Sequence, residues 1–169
     1  MKFTEKKVTT SSLASSSCNI FAISFIIALF FLSSCSYNEE NILKEEIAAT
    51  VDEFATHYFN FDFNNTLNAC TPESRKWLSF ISSNVLQEDI DILKAQKEGA
   101  WHETEDISLT SDTTATAVCK VFNFLKIDTL GRAGRMTEQA TYKIPMVKRN
   151  GKWLVKMEGL PQNEKQNLD

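Results

Sequence analysis

The chain has 169 residues, of which 43% are hydrophobic and 24% charged, and its formal net charge is −4 at pH 7. An acidic chain without a cluster of Lys and Arg is not expected to bind nucleic acid, because neutralising phosphates requires basic side chains. Two histidines and four cysteines without CxxC or HxxxH spacing predict neither a metal ion nor a cofactor.

The N-terminal region contains an apolar run, Ile20–Leu32, that is interrupted only by Ser24. It is shorter than the roughly 20 residues that a helix needs to cross a bilayer. Its length is typical of the hydrophobic region of a signal peptide, and the positive charges of Lys2, Lys6 and Lys7 precede it. The run ends in Leu-Ser-Ser-Cys, at Cys35.

This order of charge, apolar run, small residues and cysteine resembles the lipobox of bacterial lipoproteins. The resemblance implies cleavage between Ser34 and Cys35, a diacylglycerol on the Cys35 thiol, and a fatty acid such as palmitate on the freed amine. An ordinary secretory signal and an uncleaved membrane helix are the alternatives. The implied location is the bacterial cell envelope, on the periplasmic or surface side of a membrane, with the outer membrane preferred. The predicted organisation is a signal peptide over 1–34, a lipidated tether over 35–40, a domain over 41–160 and a flexible tail over 161–169.

The first half of the predicted domain has helical periodicity. Asn41–Phe59 is predicted to be a helix, with Ile47, Val51, Phe54, Ala55 and Tyr58 forming one apolar stripe. Thr71-Pro72-Glu73-Ser74 predicts the start of a second helix, with Thr71 as its N-cap and Pro72 at the first position. A further helix is predicted over Gln87–Glu98.

The second half alternates with a period of two and predicts a meander of strands. In the first strand, Trp101, Glu103, Glu105, Ile107 and Leu109 are expected to share one face. Pro145 predicts an edge or a bulge in the third strand, because it cannot donate a ladder hydrogen bond. Asn150-Gly151 predicts a tight hairpin before the last strand. The predicted strands are Trp101–Leu109, Thr113–Thr129, Arg135–Arg149 and Lys152–Gly159.

Three motifs in the domain are similar to those of the NTF2-like superfamily. They are the Phe-Asp-Phe-Asn-Asn-Thr-Leu junction over 61–67, the Thr-Pro-Glu-Ser cap, and the closing segment over 142–155 with its Asn-Gly-Lys-Trp hairpin. The chain resembles most the small lipoproteins of this superfamily classed as DUF4878, over residues 41–159. The resemblance implies an α+β fold, an NTF2-like or cystatin-like cone in which N-terminal helices pack on a curved antiparallel sheet of about four strands.

Candidate site residues follow from the aromatic and titratable side chains of the domain. Six aromatic rings could line a pocket or fill the core: Phe54, Tyr58, Trp77, Trp101, Tyr142 and Trp153. Residues that could supply acid or base groups are His57, Tyr58, Asp62, His102, Glu103, Asp106 and Tyr142, but no spacing predicts a catalytic set. Cys70 and Cys119 are either a disulfide, as an oxidising compartment allows, or two small buried residues.

The sequence therefore predicts a membrane-anchored lipoprotein with a non-catalytic binding or interaction domain. The expected partners are the membrane through the N-terminal lipid, and an unidentified protein, a small hydrophobic ligand or a second copy of the chain. The alternatives are a carrier that holds a hydrophobic molecule in the cone and an enzyme similar to SnoaL-type cyclases.

Overall fold

A computed structural model describes residues 39–127, 129 and 131–163. The predicted signal peptide, Cys35 and the end of the predicted tail lie outside the described residues. None of the helices in the described part of the chain is long and apolar enough to span a membrane.

Within the described residues, four helices precede four strands; the sequence predicts the strands and three of the helices, but not the short helix at Phe63–Thr66. The strands form one antiparallel sheet in the order β1-β2-β3-β4, and the sheet is curved. The predicted α+β cone is therefore confirmed. The helices are α1 over 39–58, α2 over Phe63–Thr66, α3 over Arg75–Ser82 and α4 over Gln87–Ala95, with 3-10 turns at Leu67–Ala69 and Pro72–Ser74; the strands are β1 over Trp101–Ser111, β2 over Thr114–Lys126, β3 over Arg135–Arg149 and β4 over Lys152–Val155.

Helix α1 buries its predicted apolar stripe in the core of the domain. Ile47, Val51, Phe54 and Ala55 are at most 1% exposed. They share one cluster with the buried side chains of the sheet, which define its inner face: Ala115, Ala117, Cys119, Val121, Tyr142, Ile144, Met146, Trp153 and Val155. Burying a large aliphatic or aromatic side chain contributes about 1.5–3 kcal/mol, so this contact between helix and sheet dominates the stability of the domain.

The prediction that five residues of β1 share one face is wrong, because the strand contains a bulge. Its pairing with β2 shifts register between Thr104 and Asp106. A single extra residue moves every side chain that follows it to the opposite face of the sheet. Ile107 and Leu109 consequently pack against the core, while Trp101 lies on the opposite, outer face, stacked on Phe122 at 3.9 Å between ring centroids.

A second irregularity lies in β2 at Asn123, whose φ is +51°. Pairing with β3 passes from Phe122 to Phe124 across it. Phe122 therefore lies on the outer face with Trp101, while Phe124 is 2% exposed in the core and packs against Phe59 and Tyr142. Asn tolerates this left-handed conformation better than most residues, and the β2–β3 register is the same on either side of it.

Strand β4 is shorter than predicted and covers only the end of β3. The hairpin at Asn150-Gly151 is confirmed, with φ of +51° and +79° at the two positions. The β3–β4 ladder ends at the pair Met146 and Val155, so Pro145 lies just beyond that ladder, while on its other side it is paired with Thr116 of β2.

A candidate ligand cavity between β3 and the C-terminal strap

After Val155 the chain leaves the sheet and returns to it only at Asn163. Lys156 donates its backbone N–H to the Pro145 carbonyl at 2.9 Å, and Asn163 forms an isolated bridge with Tyr142. Between these two ties, residues 157–162 arch away from β3. We call residues 157–162 the strap.

A cavity of about 380 Å³ lies between the strap and the body of the domain. Phe54 of α1, Ile144 of β3 and Val155 of β4 contribute to its inner wall, and Leu160 and Pro161 contribute from the strap. The cavity is partly open, and four polar residues complete its lining: Lys143, Glu158, Gln162 and Asn163. Apolar walls with a few polar side chains are the usual composition of a small-molecule site.

The Thr-Pro-Glu-Ser motif holds the start of the strap in place. Thr71 donates its backbone N–H to the Val155 carbonyl at 2.9 Å, and Met157 donates its backbone N–H to Ser74 Oγ at 2.9 Å. The Thr71 and Ser74 hydroxyls lie 2.9 Å apart, and both residues are fully buried. The motif thus begins the helical segment as predicted, and it also ties that segment to the end of β4.

A second, smaller cavity of about 80 Å³ also borders the strap. Leu160 and Pro161 line both cavities. The smaller cavity is largely aromatic, with rings from Tyr58, Phe59, Phe61, Phe63, Phe124 and Tyr142.

The six predicted pocket aromatics do not form one pocket. Phe54 lines the larger cavity, and Tyr58 and Tyr142 line the smaller one. Trp153 is buried in the core, Trp77 is partly buried against it, and neither lines either of these two cavities. Trp101 is 48% exposed on the outer face, which places it outside any pocket beneath the helices.

The sequence interpretation missed the strap itself. Residues 157–159 are predicted to extend the last strand, and residues 161–169 to be a flexible tail. The available signal was the pair Gly159 and Pro161, since a glycine and a proline two residues apart commonly end a strand. Leu160 between them is half-buried against the domain.

Two His–Asp pairs form, and neither lines a cavity. His57 Nδ1 lies 3.1 Å from Asp62 Oδ2, at the junction of α1 and α2. The hydrogen bond that the Asn65 side-chain amide donates to Asp62 is the main reason that the pKa of Asp62 lies below its usual range. Asp62 also accepts from the Asn65 backbone N–H as the N-cap of α2, so this pair is part of a helix cap. His102 Nε2 lies 3.1 Å from Asp52 Oδ1 and links β1 to α1.

The remaining candidate acids and bases lie apart from these pairs. Glu103 and Asp106 are exposed on β1. Burial raises the pKa of Tyr58, whose ring stacks on Phe54, so the hydroxyl stays protonated at neutral pH. Within the described residues, no three His, Cys, Asp or Glu side chains are grouped to hold a metal ion.

The two domain cysteines are separate, buried thiols, which agrees with the second of the two alternatives and not with a disulfide. Neither Cys70 nor Cys119 is bonded, and each is at most 6% exposed. Burial raises the pKa of each thiol to about 12, so both stay protonated and behave as small apolar groups. Cys119 packs in the inner face of β2, as the alternative prediction has it.

Comparisons with known proteins give similarity of fold only. No family model and no curated protein matches the chain. A solved structure described as an NTF-2-like protein of unknown function from Shewanella oneidensis is 10% identical over 72% of this chain and 98% of its own, with a TM-score of 0.49. A protein of unknown function from Mycobacterium tuberculosis is 13% identical over 76% of each chain, with a TM-score of 0.46.

Proposed function

We propose that the protein is a lipid-anchored lipoprotein of the bacterial envelope whose NTF2-like, DUF4878-type domain binds a small apolar molecule without transforming it. The cavity between β3 and the strap carries the binding half of this proposal. The lipobox-like segment that ends at Cys35 carries the anchoring half.

The size and walls of the cavity support ligand binding. Its volume of about 380 Å³ lies within the roughly 300–1,000 Å³ that is usual for small-molecule sites. Phe54, Ile144 and Val155 present apolar surface whose contact with an apolar ligand would release water from both. Lys143 and Glu158 place opposite charges in the lining, which suits a ligand with one polar end.

The positions of the two His–Asp pairs support binding without catalysis by these residues. A general base has to reach the proton it removes, within about 2.6–3.2 Å. His57 and Asp62 contact each other at the α1–α2 junction, and His102 contacts Asp52, but none of these four residues lines the larger cavity.

Filling the larger cavity is expected to abolish binding. Val155→Phe adds a ring where Val155 lines the cavity, so the affinity for the apolar fluorophore phenylnaphthylamine should fall by at least about tenfold, a loss of about 1.4 kcal/mol. Fluorescence titration of the full chain in an amphipathic polymer measures this affinity.

The matched control is Val121→Phe, which overpacks the same inner face but lines neither cavity. Both variants should lose about 1–3 kcal/mol of stability from overpacking. The proposal predicts that only Val155→Phe loses the probe. An equal loss of affinity in both variants would mean that the fluorophore reports stability and not the cavity.

The outer face of the sheet favours a second candidate function, which is binding of a protein or of a second copy. Trp101 and Phe122 stack there with planes 9° apart, and Lys120 lies 5.3 Å from the Phe122 ring centroid. Trp is one of the residue types that are enriched at interface hot spots.

Trp101→Ala tests this second function. If the stack is an interface, the variant should shift the full chain to a smaller mass in light scattering after gel filtration, with its stability changed by less than about 1 kcal/mol because the ring is half-exposed. Trp77→Ala, which removes a core ring, serves as the contrast because it should lower stability instead. A single mass that is the same for wild type and Trp101→Ala would refute self-association through this face.

A further inference from the structure

The two cavities share two lining residues, both from the strap. Leu160 and Pro161 line both the 380 Å³ cavity and the 80 Å³ cavity. All other lining residues belong to one cavity only. The strap is therefore the partition between a larger, partly polar chamber and a smaller, aromatic one.

The partition is tied at its ends. Met157 is held by Ser74, and Asn163 bridges to Tyr142. Between these ties, the Gln162 side chain donates to the Leu160 carbonyl at 3.1 Å, a hydrogen bond within the strap. A methyl group built on Gly159 would meet no atom within 4 Å, so the chain has room at that point. Leu160 and Pro161 thus hold their places chiefly by apolar contact with the cavity walls.

We infer that the two cavities become one elongated site when Leu160 and Pro161 move outward, and that the site takes a single unbranched acyl chain. This inference rests on the proposed function and names its ligand class. The methyl end of the chain enters the smaller cavity, and the polar head stays in the larger one, near Lys143, Glu158 and Gln162.

The dimensions of the smaller cavity favour a chain over a ring. Its volume of about 80 Å³ is below the roughly 150 Å³ of an engineered cavity that accepts benzene. A small chamber with apolar walls has room for a few methylene groups, and each buried methylene strengthens binding. Compact aromatic ligands would gain nothing from the second chamber, so dependence on chain length identifies an acyl ligand.

The test is a chain-length series on the full lipidated chain in an amphipathic polymer. Binding of octanoate, dodecanoate and hexadecanoate is measured by competition against phenylnaphthylamine. Wild type is expected to bind hexadecanoate at least about tenfold more tightly than octanoate, because the longer chain reaches the second cavity. Equal affinity for the three acids would overturn the inference.

Variants that fill only the smaller cavity separate the two chambers. Ile127→Trp and Phe63→Trp alter residues that line the smaller cavity and not the larger one. Either variant should leave octanoate binding unchanged and remove the gain for hexadecanoate. Phe80→Trp, at a 40% exposed residue outside both cavities, is the matched control and should behave as wild type. If these variants lowered the affinity for octanoate as much as that for hexadecanoate, the assignment of only the end of the longer chain to the smaller cavity would be contradicted.

Removing the partition tests the movement of the strap. Leu160→Ala should raise the association rate of hexadecanoate by at least about threefold and leave that of octanoate unchanged, because only the long chain has to displace Leu160. An unchanged association rate for hexadecanoate would refute the role of Leu160 as a barrier between the two cavities.

A second series of ligands shows whether the acyl chain comes from a free fatty acid or from a phospholipid with one acyl chain. Monoacyl phosphatidylcholine of the same chain length shares the alkyl chain but carries a bulky head. Binding of both ligands supports a site for any monoacyl chain, and binding of the fatty acid alone restricts it to free acids. Failure of both ligands, while Val155→Phe still abolishes fluorophore binding, would overturn the inference and leave the proposed function standing.

Discussion

Asp89→Ala is expected to lower the free energy of unfolding by about 2–6 kcal/mol, because each of two partly buried N–H groups that lose an acceptor costs about 1–3 kcal/mol. Asp89 lies in the first turn of α4 and is fully buried. Its Oδ2 accepts from the Leu86 N–H at 2.8 Å, and its Oδ1 accepts from the Gly134 N–H at 2.6 Å. One carboxylate thus caps α4 and joins it to the start of β3.

Gly134 shows how close the two segments approach. A Cβ added there would lie 2.9 Å from the Lys126 carbonyl oxygen and 3.2 Å from Leu125. A side chain at Gly134 would therefore push this backbone, which donates to Asp89, away from the end of β2. The contact gives α4 a defined position against the end of β2, where Gln96 and Asn123 add a further hydrogen bond at 3.2 Å.

Urea unfolding of the full chain, followed by far-UV circular dichroism, measures the effect. Asp89→Asn keeps an acceptor oxygen for one of the two N–H groups and should lose about half as much as Asp89→Ala. Asp91→Ala is the matched control, since Asp91 is exposed and accepts only from the Gln87 side chain, and its loss should stay below about 0.5 kcal/mol. Similar losses for Asp89→Ala and Asp91→Ala would show that the buried contact contributes little.

The parts of the fold that local pattern determines were predictable from the sequence. The stripe from Ile47 to Ala55 is buried in one core because its spacing matches the helical period. Asn150 and Gly151 form the hairpin turn because both adopt positive φ, which these residue types tolerate. In each case the physical requirement lies within a few consecutive residues.

The features that escaped prediction depend on residues distant in sequence. The bulge between Thr104 and Asp106 turns Ile107 inward, and only pairing with β2 determines its position. Asp89 is recognisable as structural only once Gly134 is placed beside it. For the same reason, the sequence could not show which of the six candidate pocket aromatics lie in the core, which line a cavity and which lie on the outer face.

The candidate cavity was unpredictable for a related reason. Its walls come from α1, β3, β4 and the strap, and it exists because β4 ends at Val155 while β3 continues. The sequence predicts the last strand to continue to Gly159, which would have paired β3 and closed this space. The hydrogen bonds of Thr71 and Ser74 hold the chain away from that pairing, and no local pattern reports them.

Cys35→Ala is expected to abolish lipid attachment completely and to leave residues 1–34 uncut. The reason is chemical, since alanine has no thiol to carry the diacylglycerol that the lipobox resemblance implies. Metabolic labelling with palmitate, followed by mass measurement of the purified chain, checks both effects. Wild type should carry label and lack residues 1–34, whereas the variant should carry none. Cys18→Ala is the matched control, because it removes a thiol within the predicted signal peptide and should label as wild type.

Each alternative interpretation of the N-terminus predicts a different result. An ordinary secretory signal predicts an unlabelled, cleaved wild-type chain, and an uncleaved membrane helix predicts an unlabelled chain of full length. Label on Cys35→Ala equal to that of wild type would contradict lipidation at Cys35.

Two or more acyl chains on Cys35 would make the attachment effectively permanent, since a single chain binds membranes only marginally. Permanent attachment raises the effective concentration of membrane-derived ligands at a tethered domain. We therefore expect Val155→Phe to remain lipidated and lose its ligand, and Cys35→Ala to lose its lipid and keep an intact cavity.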